Sequence, residues 1–120
     1  MSYNLIIISI FSFIFGCQIQ NSNIKVLEPA EFKNQISNHS VQLIDVRTAD
    51  EYKSGHINNA KNIDFLSSSF VYKINKLNKK KPVYVYCKSG NRSNKASKQL
   101  AELGFTEIYD LKGGFLNWRE

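Results

Sequence analysis

Cys87 lies between a short apolar run and a basic polar loop, a position in which a thiol could do chemistry. Residues 83–86 are all β-branched or aromatic, which is typical of a strand buried on both faces of a parallel sheet. From Ser93 onward apolar residues recur at helical spacing, which predicts a helix that ends at Gly104. Cys87 is therefore expected at a turn from a strand into a helix.

A strand-to-helix turn favours the ionised form of a thiol. The backbone N–H groups of the loop and of the first helical turn have no helical partners, and their dipoles favour negative charge. Lys88 and Arg92 add two positive charges close by in sequence. We therefore expect Cys87 to be a reactive nucleophile rather than a cysteine that only fills the core.

The elements that must position this turn alternate between strands and helices along the chain. Thr48 is a predicted helix cap, with Glu51 at the capping-box position. Pro29 suits the start of an earlier helix. We predict strands at 24–27, 41–46, 83–86 and 108–111, a short strand near 60–63, and helices at 29–37, 49–53, about 70–77 and 93–103, with a last short helix near 115–118. This order predicts an α/β domain with a mainly parallel sheet.

Length and charge restrict the classes of function. A chain of 120 residues has room for one domain with one core. The chain has 16 Lys and Arg against 10 Asp and Glu, a net charge of +6 that favours attraction of anions. No helix-turn-helix, zinc-finger or stacked-aromatic signature accompanies the charge, so we predict no nucleic-acid partner.

The cysteines and histidines do not form a pattern typical of metal binding. His39 and His56 are far in sequence from any cysteine pair, so we predict no metal and no cofactor. Cys17 and Cys87 are expected to have separate roles rather than to form a disulfide framework.

The N-terminal segment predicts a secreted lipoprotein. Residues 5–15 are uncharged and apolar, too short for an ordinary membrane span and about the length of a signal-peptide core. Residues 14–17 resemble a bacterial lipobox, in which Cys17 becomes the lipidated first residue. We predict a signal peptide at 1–17, a polar tether at 18–23 and a folded domain at 24–120, anchored by lipid on the periplasmic side of the cell envelope. The alternative is a cytoplasmic protein in which Cys17 is an ordinary buried residue.

Four stretches together resemble the rhodanese domain family, in the order and spacing of that family. They are residues 43–52, residues 55–57 with 60–63, residues 87–93, and residues 113–118. The resemblance runs from about Ile24 to the end of the chain. It implies a rhodanese-like α/β fold, with a mainly parallel central sheet of about five strands and helices on both faces, and it implies sulfurtransferase activity.

The resemblance also implies roles for individual residues. Cys87 is the sulfur acceptor that carries a persulfide. A small anionic donor such as thiosulfate supplies the sulfur, and a thiol or cyanide takes it. The residues expected to bind the donor are Lys88, Ser89, Gly90, Asn91, Arg92 and Ser93. A second set, Asp45, Arg47, Glu51 and His56, is interpreted from residue type as a buried or half-buried polar network that supports the loop.

Two other classes of function compete with sulfur transfer. Phosphatases and arsenate reductases also use a cysteine in an anion-binding loop that ends in arginine. Only four residues separate Cys87 from Arg92, a shorter loop than in tyrosine phosphatases, and a smaller cradle suits sulfur better than phosphate. Asp64 and Asp110 are the candidates for the general acid that a phosphatase requires. The other alternative is a non-enzymatic sulfur carrier or persulfide sensor, whose chemistry at Cys87 would be the same.

Overall fold

The computed structural model describes residues 22–38 and 40–120. The predicted signal peptide, which includes the predicted lipidation site at Cys17, and most of the predicted tether therefore lie outside the described residues, as does His39. None of the helices in the described part has the length and apolar character needed to cross a membrane.

Five strands and four helices alternate along the described chain. Thr48 and Glu51 form the predicted capping box at the start of the second helix, with each residue bonding the backbone of the other. A short 3-10 helix at Phe115–Asn117 ends the fold. The strands are β1 (Ile24–Leu27), β2 (Gln42–Asp45), β3 (Lys61–Asn62), β4 (Val83–Tyr86) and β5 (Ile108–Leu111), and the helices are α1 (Pro29–Asn38), α2 (Ala49–Lys53), α3 (Phe70–Ile74) and α4 (Asn91–Glu102).

All strand pairings in the sheet are parallel, and the strand order is β1-β5-β4-β2-β3. The strand β4 is central, with β2 on one side and β5 on the other. Asp45 is in register with Tyr86, so β2 and β4 end at the same edge of the sheet. Because Cys87 follows β4 directly, this carboxyl edge holds the predicted nucleophile, as is usual for ligand sites in open α/β sheets.

Helices cover both faces of the sheet, which confirms the predicted fold class. Val83 and Val85 belong to one core cluster, which includes side chains of α3 and α4. Tyr84 and Tyr86 point to the other face, where Phe32 of α1 belongs to a second cluster. All four residues of β4 are buried, because alternate side chains enter the two clusters.

The helix after the cysteine begins two residues earlier than predicted. It starts at Asn91 rather than Ser93. Gly90 has φ of 107°, which turns the chain sharply, and the Asn94 N–H then donates to the Gly90 carbonyl over 3.1 Å. The early start of the helix was not predicted, because its only signal is one glycine in a polar segment. Arg92 therefore lies in the first turn of α4 rather than in the loop before it.

Candidate active site

The Cys87 thiol is at the base of a short turn and is 1% exposed. Its Sγ accepts a hydrogen bond from the Gly90 backbone N–H over 3.1 Å. The Ser93 hydroxyl oxygen lies 3.4 Å from the same sulfur. The turn thus places one backbone donor and one hydroxyl on the sulfur of the predicted nucleophile, and both can donate to a thiolate.

The first turn of α4 faces the same region with unpaired backbone donors. The first helical hydrogen bond is made by the Asn94 N–H, so the N–H groups of residues 91–93 precede the hydrogen-bonded part of the helix. The positive end of the helix dipole is located here as well. Together these groups favour a negative charge next to Cys87, either on its own sulfur or on an anion bound at the turn.

Arg92 is held in a two-pronged ion pair with Glu51. The two guanidinium nitrogens lie 2.6 and 2.9 Å from the two carboxylate oxygens. The Arg92 hydrogen bond, together with bonds from Thr48, lowers the pKa of Glu51 to about 2 despite the opposing effect of burial. The pair also raises the pKa of Arg92. Because Glu51 caps α2, the ion pair fastens α2 to the start of α4.

Asp45 and Arg47 form a second, deeper ion pair. The Arg47 guanidinium approaches Asp45 to 2.7 Å, and the two side chains are 5% and 0% exposed. Arg47 also donates to the Gly55 carbonyl over 2.6 Å and lies 4.4 Å above the Phe115 ring. The pair therefore contacts the segment that follows β5, through Phe115, and its role in supporting the loop stays a prediction.

The Gly113-Gly114 turn packs directly behind the turn that begins at Cys87. Phe115 N–H donates to the Cys87 carbonyl over 2.8 Å, and Leu116 N–H donates to the Lys88 carbonyl over 3.0 Å. A Cβ atom on Gly114 would lie 2.6 Å from the carbonyl oxygens of Cys87 and Lys88. This contact was not predicted from the sequence, because it joins segments far apart in the chain.

The remaining predicted donor-binding residues form the rim of the turn. Lys88, Ser89 and Asn91 are exposed, and Gly90 is half-buried. Their side chains are therefore accessible to an incoming anion. Their roles in binding the donor stay predictions.

His56 lies farther out, against α2. Its ring stacks on Tyr52 with the centroids 3.7 Å apart, and its Nδ1 is 2.8 Å from the Tyr52 carbonyl oxygen. Tyr52 in turn donates from its hydroxyl to the Ala60 carbonyl over 2.7 Å. The structure places His56 beside the turn between α2 and β3, where it would act on the active site only through these neighbours.

The two aspartates considered as general acids have different environments. Asp64 accepts a hydrogen bond from the Leu66 N–H over 2.9 Å and contributes to the electrostatic field at Arg92. Asp110 is buried in β5, and its carboxyl interacts with Ser93. The contact between Asp110 and Ser93 was not predicted, and its only sequence signal is a charged residue inside an apolar strand.

The described part of the chain contains no group of three or more His, Cys, Asp and Glu side chains arranged to hold a metal ion.

Comparison with known proteins places this geometry in a family. The family model of the rhodanese-like domain matches residues 28–120. A rhodanese-like domain protein from Staphylococcus aureus of known structure superposes with a TM-score of 0.71 at 32% sequence identity, covering 80% of this chain and 92% of that one.

Curated relatives include proteins of several kinds. YqhL of Bacillus subtilis, an uncharacterized protein, is 38% identical over 96% of this chain and 92% of its own length. Thiosulfate sulfurtransferase GlpE of Shewanella oneidensis is 31% identical over 82% of this chain and 96% of its own length. A tRNA uridine(34) hydroxylase of Cytophaga hutchinsonii is 40% identical over 78% of this chain, but the match spans only 31% of that longer protein.

Proposed function

We propose, because this chain belongs to the rhodanese-like domain family, that it is a sulfurtransferase that carries sulfane sulfur as a persulfide on Cys87. One observation carries the proposal: the Cys87 sulfur accepts the Gly90 N–H over 3.1 Å at the start of α4. This arrangement stabilises a sulfur anion at the position where a persulfide would form. The relative GlpE, named a thiosulfate sulfurtransferase, supports thiosulfate as the donor.

In the first half-reaction the Cys87 thiolate attacks the outer sulfur of thiosulfate. A new S–S bond forms, the bond between the outer sulfur and the sulfonate sulfur breaks, and sulfite leaves with the bonding electron pair. The product is a Cys87 persulfide anion. Backbone N–H groups of the turn and of the first turn of α4 are available to hold its terminal sulfur, in the way that such donors hold an oxyanion.

In the second half-reaction an acceptor anion, cyanide or a thiolate, attacks the terminal sulfur. The acceptor gains that sulfur, and the S–S bond to Cys87 breaks. Its electron pair returns to Cys87 and regenerates the thiolate. No general base takes part in either step, because the attacking species is an anion in each: the Cys87 thiolate in the first and the acceptor anion in the second.

The ion pair of Arg92 argues against the phosphatase and arsenate reductase alternative. Both prongs of the guanidinium are bonded to Glu51, at 2.6 and 2.9 Å. A phosphate bound in the turn would have to displace a carboxylate to gain a fork of hydrogen bonds from Arg92. A sulfur atom needs no such fork, so the observed geometry suits sulfur transfer better.

Release of sulfite from thiosulfate, followed with cyanide as acceptor, tests the proposal. We expect the wild-type protein to release many equivalents of sulfite per chain, and Cys87→Ser to lose at least about 100-fold in rate because serine is not ionised at neutral pH. Equal rates for the two proteins, or faster hydrolysis of p-nitrophenyl phosphate than release of sulfite, would contradict the proposal. Release that stops after one equivalent would indicate a sulfur carrier instead of an enzyme.

A further inference from the structure

Asp110 is a buried carboxyl group in a strand that is otherwise mostly apolar. It is 3% exposed, and its Oδ1 has no hydrogen-bond partner among the described residues. Its register partners in the neighbouring strands are Val26 in β1 and Val85 in β4, which bring no polar group. Since a buried carboxyl without full hydrogen bonding is destabilising, its presence here calls for a physical reason.

Ser93 connects this carboxyl group to the nucleophile. It is buried in the first turn of α4, and its side chain is near enough to the Asp110 carboxyl to lower the pKa of that group. The same Oγ lies 3.4 Å from the Cys87 sulfur and 3.2 Å from the Gly90 carbonyl oxygen. The Ser93 hydroxyl has one proton, which it can donate to the Gly90 carbonyl, to the Cys87 thiolate or to the Asp110 carboxylate.

We propose that Asp110 is a positioning residue that controls the thiolate of Cys87 by directing the hydroxyl of Ser93. When Asp110 is protonated, it donates to the Ser93 oxygen, and the Ser93 proton is free to bond the Cys87 thiolate. When Asp110 is ionised, it draws the Ser93 proton to itself, and the Cys87 thiolate loses that hydrogen bond. The ionised carboxylate therefore disfavours the thiolate, and the protonated carboxyl favours it.

The surroundings of Asp110 allow it to change its protonation state in the range where the protein would work. Burial raises the pKa of Asp110 to about 6, although the Ser93 hydrogen bond acts in the opposite direction. Two titratable groups lie nearby along these connections: Cys87, reached through Ser93, and Lys112, which follows the end of β5. Lys112 is held by Glu28, with 2.8 Å between Nζ and Oε1, so it does not neutralise Asp110.

A route for the proton to solvent is present as well. Asp110 borders a surface cavity of about 360 Å³ whose other lining residues include Ser89, Gly90 and Asn94. The cavity opens beside the catalytic turn, on the side of β5 and α4. Proton exchange at Asp110 therefore does not require the turn around Cys87 to open.

This inference rests on the proposed role of Cys87 as the nucleophile, but its test needs no sulfur transfer. The rate at which iodoacetamide alkylates Cys87 measures the thiolate fraction of that residue at each pH. Cys17 is replaced by Ala in every protein tested, including the parent, so that only Cys87 reacts. For the otherwise unchanged chain we expect the logarithm of the rate to rise less steeply across pH 6, where Asp110 ionises. Loss of sulfite release with this profile intact would refute the proposed function and leave the inference standing.

Asp110→Asn removes the titration and keeps a donor for Ser93. We expect its alkylation at pH 7 to be about tenfold faster than that of the parent, which corresponds to a decrease of about one unit in the pKa of the thiol. The logarithm of its rate should show no change of slope at pH 6. Asp50→Asn, which removes one exposed carboxylate from α2, is the matched control and should keep the parent profile. A parent profile with no change of slope would overturn the inference without any variant.

Ser93→Ala separates control through the hydroxyl from a direct effect of charge. In the Ser93→Ala background, Asp110→Asn should change the alkylation rate less than about twofold, because the connection is already broken. A tenfold effect that persists in that background would overturn the role of Ser93. If the Asp110→Asn protein is less stable but keeps the alkylation profile of the parent, Asp110 has a structural role only, and the inference is overturned.

Discussion

The backbone N–H of Phe115 donates a hydrogen bond to the carbonyl oxygen of Cys87 over 2.8 Å. The segment after β5 therefore holds the catalytic turn from behind, by main-chain contacts that do not depend on the identity of most side chains. Gly114 makes this approach feasible, because its hydrogen atom occupies the space where a side chain would begin.

Gly114→Ala should damage both stability and activity. The new Cβ would meet backbone atoms of residues 87 and 88 at 2.6 Å, and the backbone at φ 62° and ψ −159° is a conformation that is almost confined to glycine. We expect a loss of about 3 kcal/mol or more in the free energy of unfolding, measured with urea, and a large loss of sulfite release.

Gly104→Ala is the matched control for that variant. Gly104 also has positive φ, at 103°, but its Cβ would meet only the end of the Lys79 side chain at 3.7 Å. The substitution should cost about 1–2 kcal/mol and leave turnover of the folded protein unchanged. Equal effects of the two substitutions on turnover would show that the contact behind Cys87 is unimportant.

Arg47→Lys should destabilise the protein although it keeps the charge. Lysine cannot make the planar fork to Asp45 and also reach the Gly55 carbonyl, so the buried carboxylate would lose hydrogen bonds. We expect the free energy of unfolding to fall by about 3 kcal/mol. Lys112→Gln, which breaks the exposed ion pair with Glu28, should leave the urea midpoint unchanged, and a similar loss in both variants would contradict this interpretation.

The ion pair between Glu51 and Arg92 should stabilise the protein in a pH-dependent manner. The pKa of Glu51 is lowered from its ordinary 4.5 to about 2 in the folded chain, so the stabilisation is complete above pH 4.5 and is lost as the pH falls towards 2. Relative to Glu51→Gln, the wild type should be about 1 kcal/mol more stable at pH 7 because the pair is partly exposed.

Urea unfolding of the two proteins across the acid range checks this expectation. The difference in the free energy of unfolding should shrink between pH 4.5 and pH 2. Glu102→Gln, at an exposed position of α4, provides the control, since its difference from the wild type should stay near zero over the same range. A constant difference for Glu51→Gln would mean that its effect comes from the capping box rather than from the charge.

Lys88 is expected to attract the donor anion to the turn. Lys88→Gln should raise the KM for thiosulfate about threefold at low ionic strength, with little change in kcat, and the effect should fade in high salt. Lys80→Gln removes an equally exposed charge from the loop before β4 and should change neither constant. Equal shifts in KM for the two variants would indicate that only net charge matters.

Lipid anchoring through Cys17 stays a prediction from the sequence, and we propose it as the location of the protein. Cys17→Ala should move the protein out of the membrane fraction and leave the specific activity with thiosulfate unchanged, since it leaves every described residue unaltered. Metabolic labelling with a radioactive fatty acid checks the modification directly. A wild-type protein that is found in the cytosol with Met1 intact would exclude the anchor.

Much of the fold was predictable because local signals agreed with one another. Strands β1, β4 and β5 and helix α2 have the bounds that were expected, and the capping box at Thr48 formed as predicted. Their bounds carry local signals: Thr48 caps α2, Pro82 directly precedes β4, and Gly113 follows soon after β5. The predicted start of α4 was wrong by two residues, because the backbone conformation of Gly90 determines where the helix begins and no apolar pattern marks that position.

The sequence by itself determined that a cysteine follows a buried strand and precedes a helix. The spacing of apolar residues and the positions of turn-forming residues are local properties of the chain, so they can be read without the fold. Only the tertiary structure decided what surrounds that cysteine. The parallel sheet brings β5 beside β4, which places Asp110 behind Ser93 and Gly114 behind the turn, while the ion pair with Glu51 occupies Arg92. These contacts join residues far apart in the chain, and no local pattern of side chains encodes such distances.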